Sequence, residues 1–241
     1  MIVKTVPEGW EVIYQRAHGL LAAQLANEWK VAQRPTYWTQ TLIAIAEHDD
    51  GMAESQSAEN LTEAGAPKHF QLLKYSASQY RNVMEIAASK SRWNALMISM
   101  HLTFLYGGMK NDEEELKKLV EEQQLFQKQV LKELDITKRG AEQAYKFVEW
   151  CDALSLLLCM DKVQPSQRKM DISTGPDGTM YQLWRDESDN MRVLPWPFES
   201  GQFEVEVEYR HLTQLKYTSI QELNTALKTA EVQVRKWYFK K

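Results

Sequence analysis

At 241 residues, with 44% hydrophobic and 26% charged side chains, the chain is long enough to bury a full core and has the ordinary balance of a globular protein. A net charge of −4 and a pI near 5.8 argue against a concentrated basic surface, so neither nucleic acid nor an anionic membrane is an expected partner. No apolar run approaches the length of a bilayer span, and Met1–Glu8 lacks the basic-then-apolar order of a secretory signal.

The two cysteines, Cys151 and Cys159, lie eight apart on one helical stretch without CxxC spacing. They read as free, buried thiols of a reducing compartment, and the expected location is cytoplasmic. The eight tryptophans suit either core packing or the lining of a pocket.

In chain order, Ile2–Val6 and Trp10–Tyr14 flank Pro7-Glu8-Gly9 and predict a hairpin. Leu20, Leu21, Leu25 and Trp29 recur at helical spacing over 15–29, with His18 near the start. A second helix is expected from Thr36 to His48, ended by a left-handed cap at Gly51. Residues 51–75 have little periodicity and carry the breaker Gly65-Ala66-Pro67, so they read as a long loop of the kind that often serves function.

Ser76 can cap a helix to Ala88, and another runs from Ser91 to Tyr106, where Gly107-Gly108 stops it. Asp112 opens an amphipathic, highly charged helix to Leu134, whose polar side reads as a solvated face rather than a partner-binding one. The helix from Thr137 to Met160 turns strongly apolar around Asp152.

After Pro165 the period changes to that of strands. These are 169–174 and 179–185 about the turn Gly175-Pro176-Asp177-Gly178, then 191–194, 203–209 and 231–239, with a short helix over 220–228. The expected fold is α+β: a mainly helical bundle over residues 1–164, with an antiparallel sheet from 165–241 joined by the N-terminal hairpin.

Chemistry concentrates at Ala46-Glu47-His48-Asp49-Asp50-Gly51, where an apolar helix ends in a histidine and two carboxylates. Buried charges are costly unless paired, and a metal cation is a common partner for His and Asp. Adjacent residues on a helix point about 100° apart, so His48 and Asp49 can share a cation only near a helix end or seam. His18, His101 and Asp152 each stand on another apolar helix. A lone histidine in such a place is usually a hydrogen-bonded core residue, and Asp152 alone could pair with an arginine. The repetition on four segments favours a shared divalent transition metal, one or two ions of Fe, Mn, Zn, Ni or Co, held by His18, His48, Asp49, His101 and Asp152.

The order His18, His48-Asp49, Asp152 resembles the H…HD…D signature of the HD-domain superfamily of metal-dependent phosphohydrolases, over roughly residues 10–160. Met52 departs from the lysine common after HD-x-G, and no GYP element of the cyclic-dinucleotide branch is present. The chain also resembles a bacterial family of unknown function with an AxxHDxG stretch, a GxPxxF loop and an SxH. These fall here on Ile45–Gly51 (with Ile45 for the leading alanine), Gly65–Phe70 and Ser99-Met100-His101.

The first resemblance implies an HD-like helical fold and hydrolysis of a small phosphorylated or nucleotide-like substrate by metal-activated water. It makes His18, His48, Asp49 and Asp152 ligands and His101 a fifth ligand or a contact to a second ion. Asp50 and Glu47 would then orient water or act as general base, with Glu54 a further acidic neighbour. Lys68 and His69 are candidate substrate contacts, and Arg81 and Arg92 further possible anion contacts. The competing readings are a di-iron oxygenase on a similar scaffold and a non-catalytic metal-containing binding protein. No GxSxG elbow, GxxxxGK[ST] loop or GxGxxG loop supports serine hydrolase, NTPase or dinucleotide chemistry.

Overall fold

The computed structural model of the chain describes residues 1–51, 60–73, 77–107 and 114–241. The sequence features at Met52, Glu54, Ser76, Gly108 and Asp112 lie outside the described residues.

The hairpin forms as β1 (Ile2–Val6) and β2 (Gly9–Ile13). Helices α1 (Gln15–Asn27), α2 (Trp38–Glu47), α3 (Ala77–Ala88), α4 (Arg92–Gly107), α5 (Glu114–Glu133) and α6 (Lys138–Cys159) follow. Strands β3 (Met170–Thr174), β4 (Met180–Arg185), β5 (Met191–Leu194) and β6 (Gln202–Leu212), helix α7 (Ile220–Thr229) and strand β7 (Val232–Lys240) complete the chain.

Local chemistry accounts for several boundaries. The Thr137 hydroxyl accepts from the Gly140 amide at 3.1 Å and starts α6, and the Ser91 hydroxyl accepts from the Asn94 amide at 3.0 Å at the head of α4. At the β3–β4 turn the Gly175 amide donates to the Thr179 carbonyl at 2.8 Å, and Gly178 takes the left-handed φ that such turns favour.

The sheet corrects the expected architecture. The α+β class stands, but the molecule is not a mainly helical bundle carrying an antiparallel extension. One seven-stranded sheet runs β1-β2-β6-β7-β5-β4-β3, and it is mixed, because β5 and β7 pair in parallel through Met191 and Phe239. The 11-residue β6 and 9-residue β7 form its long central ladder, from Gln202–Lys240 to Arg210–Val232. Leu183, Val193, Val205, Val207, Trp237 and Phe239 enter the same continuous core as Leu21, Leu25, Leu96, Val148 and Leu154. The sheet is thus half of the scaffold on which the helices rest. Long alternating strands bury one face, and that face needs a helical layer against it as much as the helices need the sheet.

Trp29 anchors this junction, with ring centroids 4.9 Å from both Phe147 and Trp150 and 5.8 Å from Tyr181. A smaller second core gathers Met1, Val12, Leu212, Tyr217, Leu223 and Leu227 on the opposite face of the sheet at its β1–β2 edge.

Two glycines let helices meet at the polar cluster. A Cβ on Gly19 would lie 2.4 Å from the Ala46 carbonyl oxygen, so α1 can press against the last turn of α2 only without a side chain there. Gly51 serves a different purpose from the expected left-handed cap. Its φ is not in the left-handed region; instead a Cβ would sit 2.0 Å from Cγ2 and 2.7 Å from Cα of Val83, so it lets α3 close over the turn after Asp49. The Asn82 amide adds a hydrogen bond to the Gly51 carbonyl at 3.1 Å.

Candidate metal centre

Each polar side chain of the cluster is brought in by a different local device. His18 lies one residue before the α1–α2 close approach, and His48 lies two residues after it. His48 is the C-terminal boundary of α2, and the Asp50 amide donates to the Glu47 carbonyl at 3.0 Å, a tightened turn that carries Asp49 round to the same side. Asp152 comes from the middle of α6, which packs against α1, α2 and α4. His101 comes from the middle of α4, tied to α2 by Trp93 Nε1 donating to Thr41 Oγ1 at 2.8 Å and by the Asn94 side-chain amide donating to the Gln40 carbonyl at 3.0 Å.

The structure therefore gathers His18, His48, Asp49, His101 and Asp152 at one place. The Nε2 atoms of His18 and His48 are 3.1 Å apart, and Asp152 Oδ1 is 3.2 Å from each. Asp49 Oδ2 lies 3.6 Å from both nitrogens. The His101 ring centroid is 5.1 Å from that of His48, and ligand-capable atoms of His48, Asp49 and His101 lie within 4.8 Å of one another. His18, His48, Asp49 and His101 are buried, and the Asp152 side chain is 14% exposed.

The outward nitrogens decide what the inward ones can do. His18 Nδ1 meets the Gln15 carbonyl, and His48 Nδ1 meets the Ile45 carbonyl at 2.7 Å, an oxygen in the last turn of α2 where helix carbonyls lack partners. With Nδ1–H donating outward, each neutral ring directs an Nε2 lone pair at the other. Two lone pairs and a carboxylate oxygen then converge with no protein hydrogen among them. A proton or a cation is needed to relieve this.

Among protons, His48 is the acceptor. Burial alone would push its pKa down, but the Asp49 and Asp152 carboxylates outweigh burial and raise it to about 10. Burial would raise Asp152, yet the charge of protonated His48 and the hydrogen bond it then donates hold the carboxyl well below the usual range. Burial, aided by the charge of His48, lowers His101 to about 4, so it is neutral near pH 7.

The donor set also fits a metal. With metal–ligand bonds near 2.1 Å, neighbouring ligand atoms stand about 3.0 Å apart in an octahedron and about 3.4 Å apart in a tetrahedron. The observed edges of 3.1 and 3.2 Å fall within that range, and the 3.6 Å edge to Asp49 lies slightly above it. Histidines tied through Nδ1 to backbone carbonyls are the usual state of metal-bound imidazoles. His18, His48, Asp49 and Asp152 could hold one ion, with His101 beside it.

The remaining candidates are placed as follows. Glu47 pairs with Lys90 at 2.7 Å, and the Asp50 carboxylate faces Arg16 Nε at 3.6 Å. Partial burial raises the Asp50 pKa while Arg16 opposes it. Arg81 pairs with Glu115 and Arg92 with Glu133 on the exposed helix surface.

Lys68 and His69 stand apart from the cluster. The Lys68 amide donates to the Asn60 carbonyl, and the neighbouring Phe70 amide donates to the Met1 carbonyl, both at 2.8 Å. His69 stacks on Phe70, and its pKa is lowered by burial, by the chain's N-terminus and by Lys162. Lys162 lies beyond the end of α6, whose last residue, Cys159, is seven residues or about 10 Å of helix rise from Asp152. The GxPxxF loop is thus a docking element for the second core: Gly65, at φ +82°, lies where a Cβ would meet the Tyr217 carbonyl oxygen at 2.5 Å.

The serine of the SxH motif also faces away from the cluster. Ser99 Oγ accepts from the Gln127 amide of α5 at 3.0 Å, so it holds α4 in place from behind. A small cavity beside His48, Asp49 and His101 is walled by Gln79, Tyr80, Val83, Leu102, Leu105 and Tyr106. Sequence reasoning missed Tyr145, whose hydroxyl is 3.4 Å from His101 Nδ1. Its position seven residues before Asp152, two turns away on the same helix face, was the available signal. Among the described residues no helix is long and apolar enough to cross a membrane.

Comparison with known proteins finds no match among curated proteins or solved structures. A family model described as a protein of unknown function, DUF3891, matches residues 1–214, which takes in all five cluster residues and the sheet as far as β6. The chain therefore belongs to the DUF3891 family, whose function is not established.

Proposed function

We propose that the protein is a metal-dependent phosphohydrolase acting on a small phosphorylated or nucleotide-like substrate. The observation that carries the metal is the convergence of two histidine Nε2 atoms and Asp152 Oδ1 within 3.2 Å, with both Nδ1 atoms committed to backbone carbonyls. The choice of phosphoryl chemistry rests on the order His18, His48-Asp49, Asp152, which resembles the HD phosphohydrolase signature. A bound divalent ion supplies an acidified water and positive charge for a phosphoryl oxygen.

The chain's own residues have distinct tasks in this reading. His18, His48, Asp49 and Asp152 hold the ion in a water-poor site where charge interactions are strong. Asp50 is half-buried beside them with a raised pKa, which suits a carboxylate that accepts a proton from water. Arg16 steadies it, donating to the Asp50 backbone carbonyl at 2.5 Å while facing its carboxylate. Glu47 is the weaker base because Lys90 already balances its charge. The Lys68–His69 segment is better suited to holding the loop than to touching substrate.

One observation favours a second reading, an oxygenase with a His/Asp-bound iron pair. Among the described residues the small cavity beside the cluster is walled by Gln79 and by aromatic and aliphatic side chains, with no lysine or arginine. The cavity itself, about 10 Å³, holds no more than a water-sized molecule, and its walls carry no cation to pair with a phosphoryl group.

A panel of phosphomonoesters, nucleotides and phosphodiesters, assayed with added Mn2+ and with Asp49→Ala as control, tests the proposal. Metal-dependent phosphate release that disappears in Asp49→Ala supports it. Iron-dependent oxygen consumption with no phosphatase activity replaces it with the second reading. Bound metal with neither activity leaves a metal-containing binding protein.

A further inference from the structure

The three histidines of the cluster are not held alike. His18 and His48 each engage a carbonyl three residues earlier in their own helix, whereas His101 Nδ1 meets the Tyr145 hydroxyl, carried on α6. His101 sits in the middle of α4 and takes its Nδ1 partner from another helix. Without an outside partner a neutral imidazole can swap tautomer and turn, and either change removes the Nε2 lone pair from the cluster.

Tyr145 and Asp152 are seven residues apart on α6, so one face of that helix brings both a ligand-type carboxylate and the hydroxyl behind His101. Tyr145 is buried, with its ring 6.2 Å by centroid from His101 and 6.2 Å from Phe104. From the other side, Ser99 and Thr103 of α4 accept hydrogen bonds from Gln127 at 3.0 Å each, which sets the rotation of α4.

We propose that Tyr145 is a positioning residue: its hydroxyl oxygen accepts the His101 Nδ1 proton and so presents His101 Nε2 as a metal ligand beside Asp49 and His48. This rests on the metal reading above. Asp152 and Tyr145 then couple the two sides of the cluster through one rigid helix, and His101 is the ligand most easily detached, because its orienting group lies on a different helix from its own.

The test is calorimetric titration of Mn2+ into chelator-stripped wild type, Tyr145→Phe, His101→Ala and the double variant. It is joined by 15N NMR of the histidine side chains, which reports each ring's tautomer. Tyr145→Phe keeps the ring and its packing, and melting curves check that each variant is folded. In the wild type the His101 ring is expected as the Nδ1–H tautomer, and in Tyr145→Phe as a mixture. Tyr145→Phe is expected to weaken Mn2+ binding about 10- to 100-fold, the usual effect of losing a group that orients a ligand. His101→Ala should lose at least as much, and the double variant no more than His101→Ala.

Wild-type affinity and tautomer in Tyr145→Phe, beside a loss in His101→Ala, would overturn the role given to Tyr145 and leave the metal centre standing. No loss in His101→Ala would overturn His101 as a ligand, and Tyr145 with it. Absence of Mn2+ binding by the wild type would overturn the metal reading itself.

Discussion

The carboxylates of the sheet and those of the helical cluster are the same chemical groups in opposite circumstances. In the β4–β5 turn, Asp186 accepts from Arg192 Nε at 2.8 Å and from the Ser188 and Asn190 amides at 2.9 Å each. Against the upward push of burial, these donors hold its pKa at about 2. On the central ladder Glu204 pairs with Lys236, and Glu11 of β2 reaches across β6 to Arg235, each at 2.6 Å. Every one of these acids is balanced by a protein cation or an N–H.

Asp49 and Asp152 face histidines that present lone pairs, and no lysine or arginine pairs with either among the described residues. The sheet's charges are complete within the protein. The cluster is complete only with a proton or a metal. Acid content therefore says little about function, whereas acids buried against acceptors say a great deal.

The contrast can be broken at the cluster with the largest effect. His48→Ala removes the ring that lies beside His18, Asp49, His101 and Asp152, and Asp152→Asn removes the negative charge beside both His18 and His48. Each should lower Mn2+ affinity by more than about 100-fold, beyond what the loss of an orienting neighbour costs. Calorimetric titration measures this.

A structural break comes next. Gly19→Ala puts a methyl group 2.4 Å from the Ala46 carbonyl oxygen and must spread α1 from α2. Overpacking of this kind costs about 1–3 kcal/mol. Denaturant melts should show that loss together with weaker Mn2+ binding, because the same approach sets the 3.1 Å spacing of His18 and His48. Gly65→Ala sharpens the comparison. It should destabilise by a similar amount, through its left-handed φ and the Tyr217 carbonyl, yet leave Mn2+ affinity unchanged because it acts on the second core.

Protons give a subtler reading of the same difference. In the metal-free protein His48 has a pKa raised to about 10, so near pH 7 it carries the proton that a cation must displace. Mn2+ binding at pH 8 should release about one proton per ion, detectable with an indicator dye, and affinity should rise with pH. The sign for stability is opposite. A raised histidine pKa favours the folded state fully below its unfolded value of about 6.5, and that contribution is lost as pH climbs toward 10. Metal-free protein should therefore lose stability over that window, and metal-loaded protein should lose less. The smallest effect belongs to the sheet: Lys236→Gln removes an exposed pair and should change neither the melting temperature nor Mn2+ binding measurably.

Local pattern made much of this legible. The Thr137 cap, the Gly175–Gly178 turn and the alternation from Phe203 to Tyr209 each act within a few residues, and the elements they specify lie close to where the sequence places them. Pairing between distant strands leaves no such local mark. The parallel β5–β7 contact, which makes the sheet mixed, joins Met191 to Phe239 through an intervening strand and helix. The weight of the sheet was underestimated for the same reason: short strands look like appendages until their inner faces are seen to share one core with the helices.

At the cluster, residue types betrayed His18, His48, Asp49, His101 and Asp152, because polar groups in apolar helices are conspicuous. Their supports were far less conspicuous. Gly19, Ser99 and Tyr145 are ordinary residues in a helix, and only the crossing of α1 with α2, α4 with α5 and α6 with α4 reveals what each one does. Lys68 and His69 were suggested by charge alone, and charge gives no direction.

Metal analysis of the purified protein, followed by Mn2+ titration with thermal melting, tests the central claim most directly. The predicted result is about one or two transition ions per chain, or, after stripping, a stabilisation of about 2.7 kcal/mol when free Mn2+ reaches a hundredfold excess over Kd, absent in His48→Ala. No bound ion, together with no stabilisation by Mn, Fe, Zn, Ni or Co, would contradict it and leave the cluster a protonated histidine–aspartate knot.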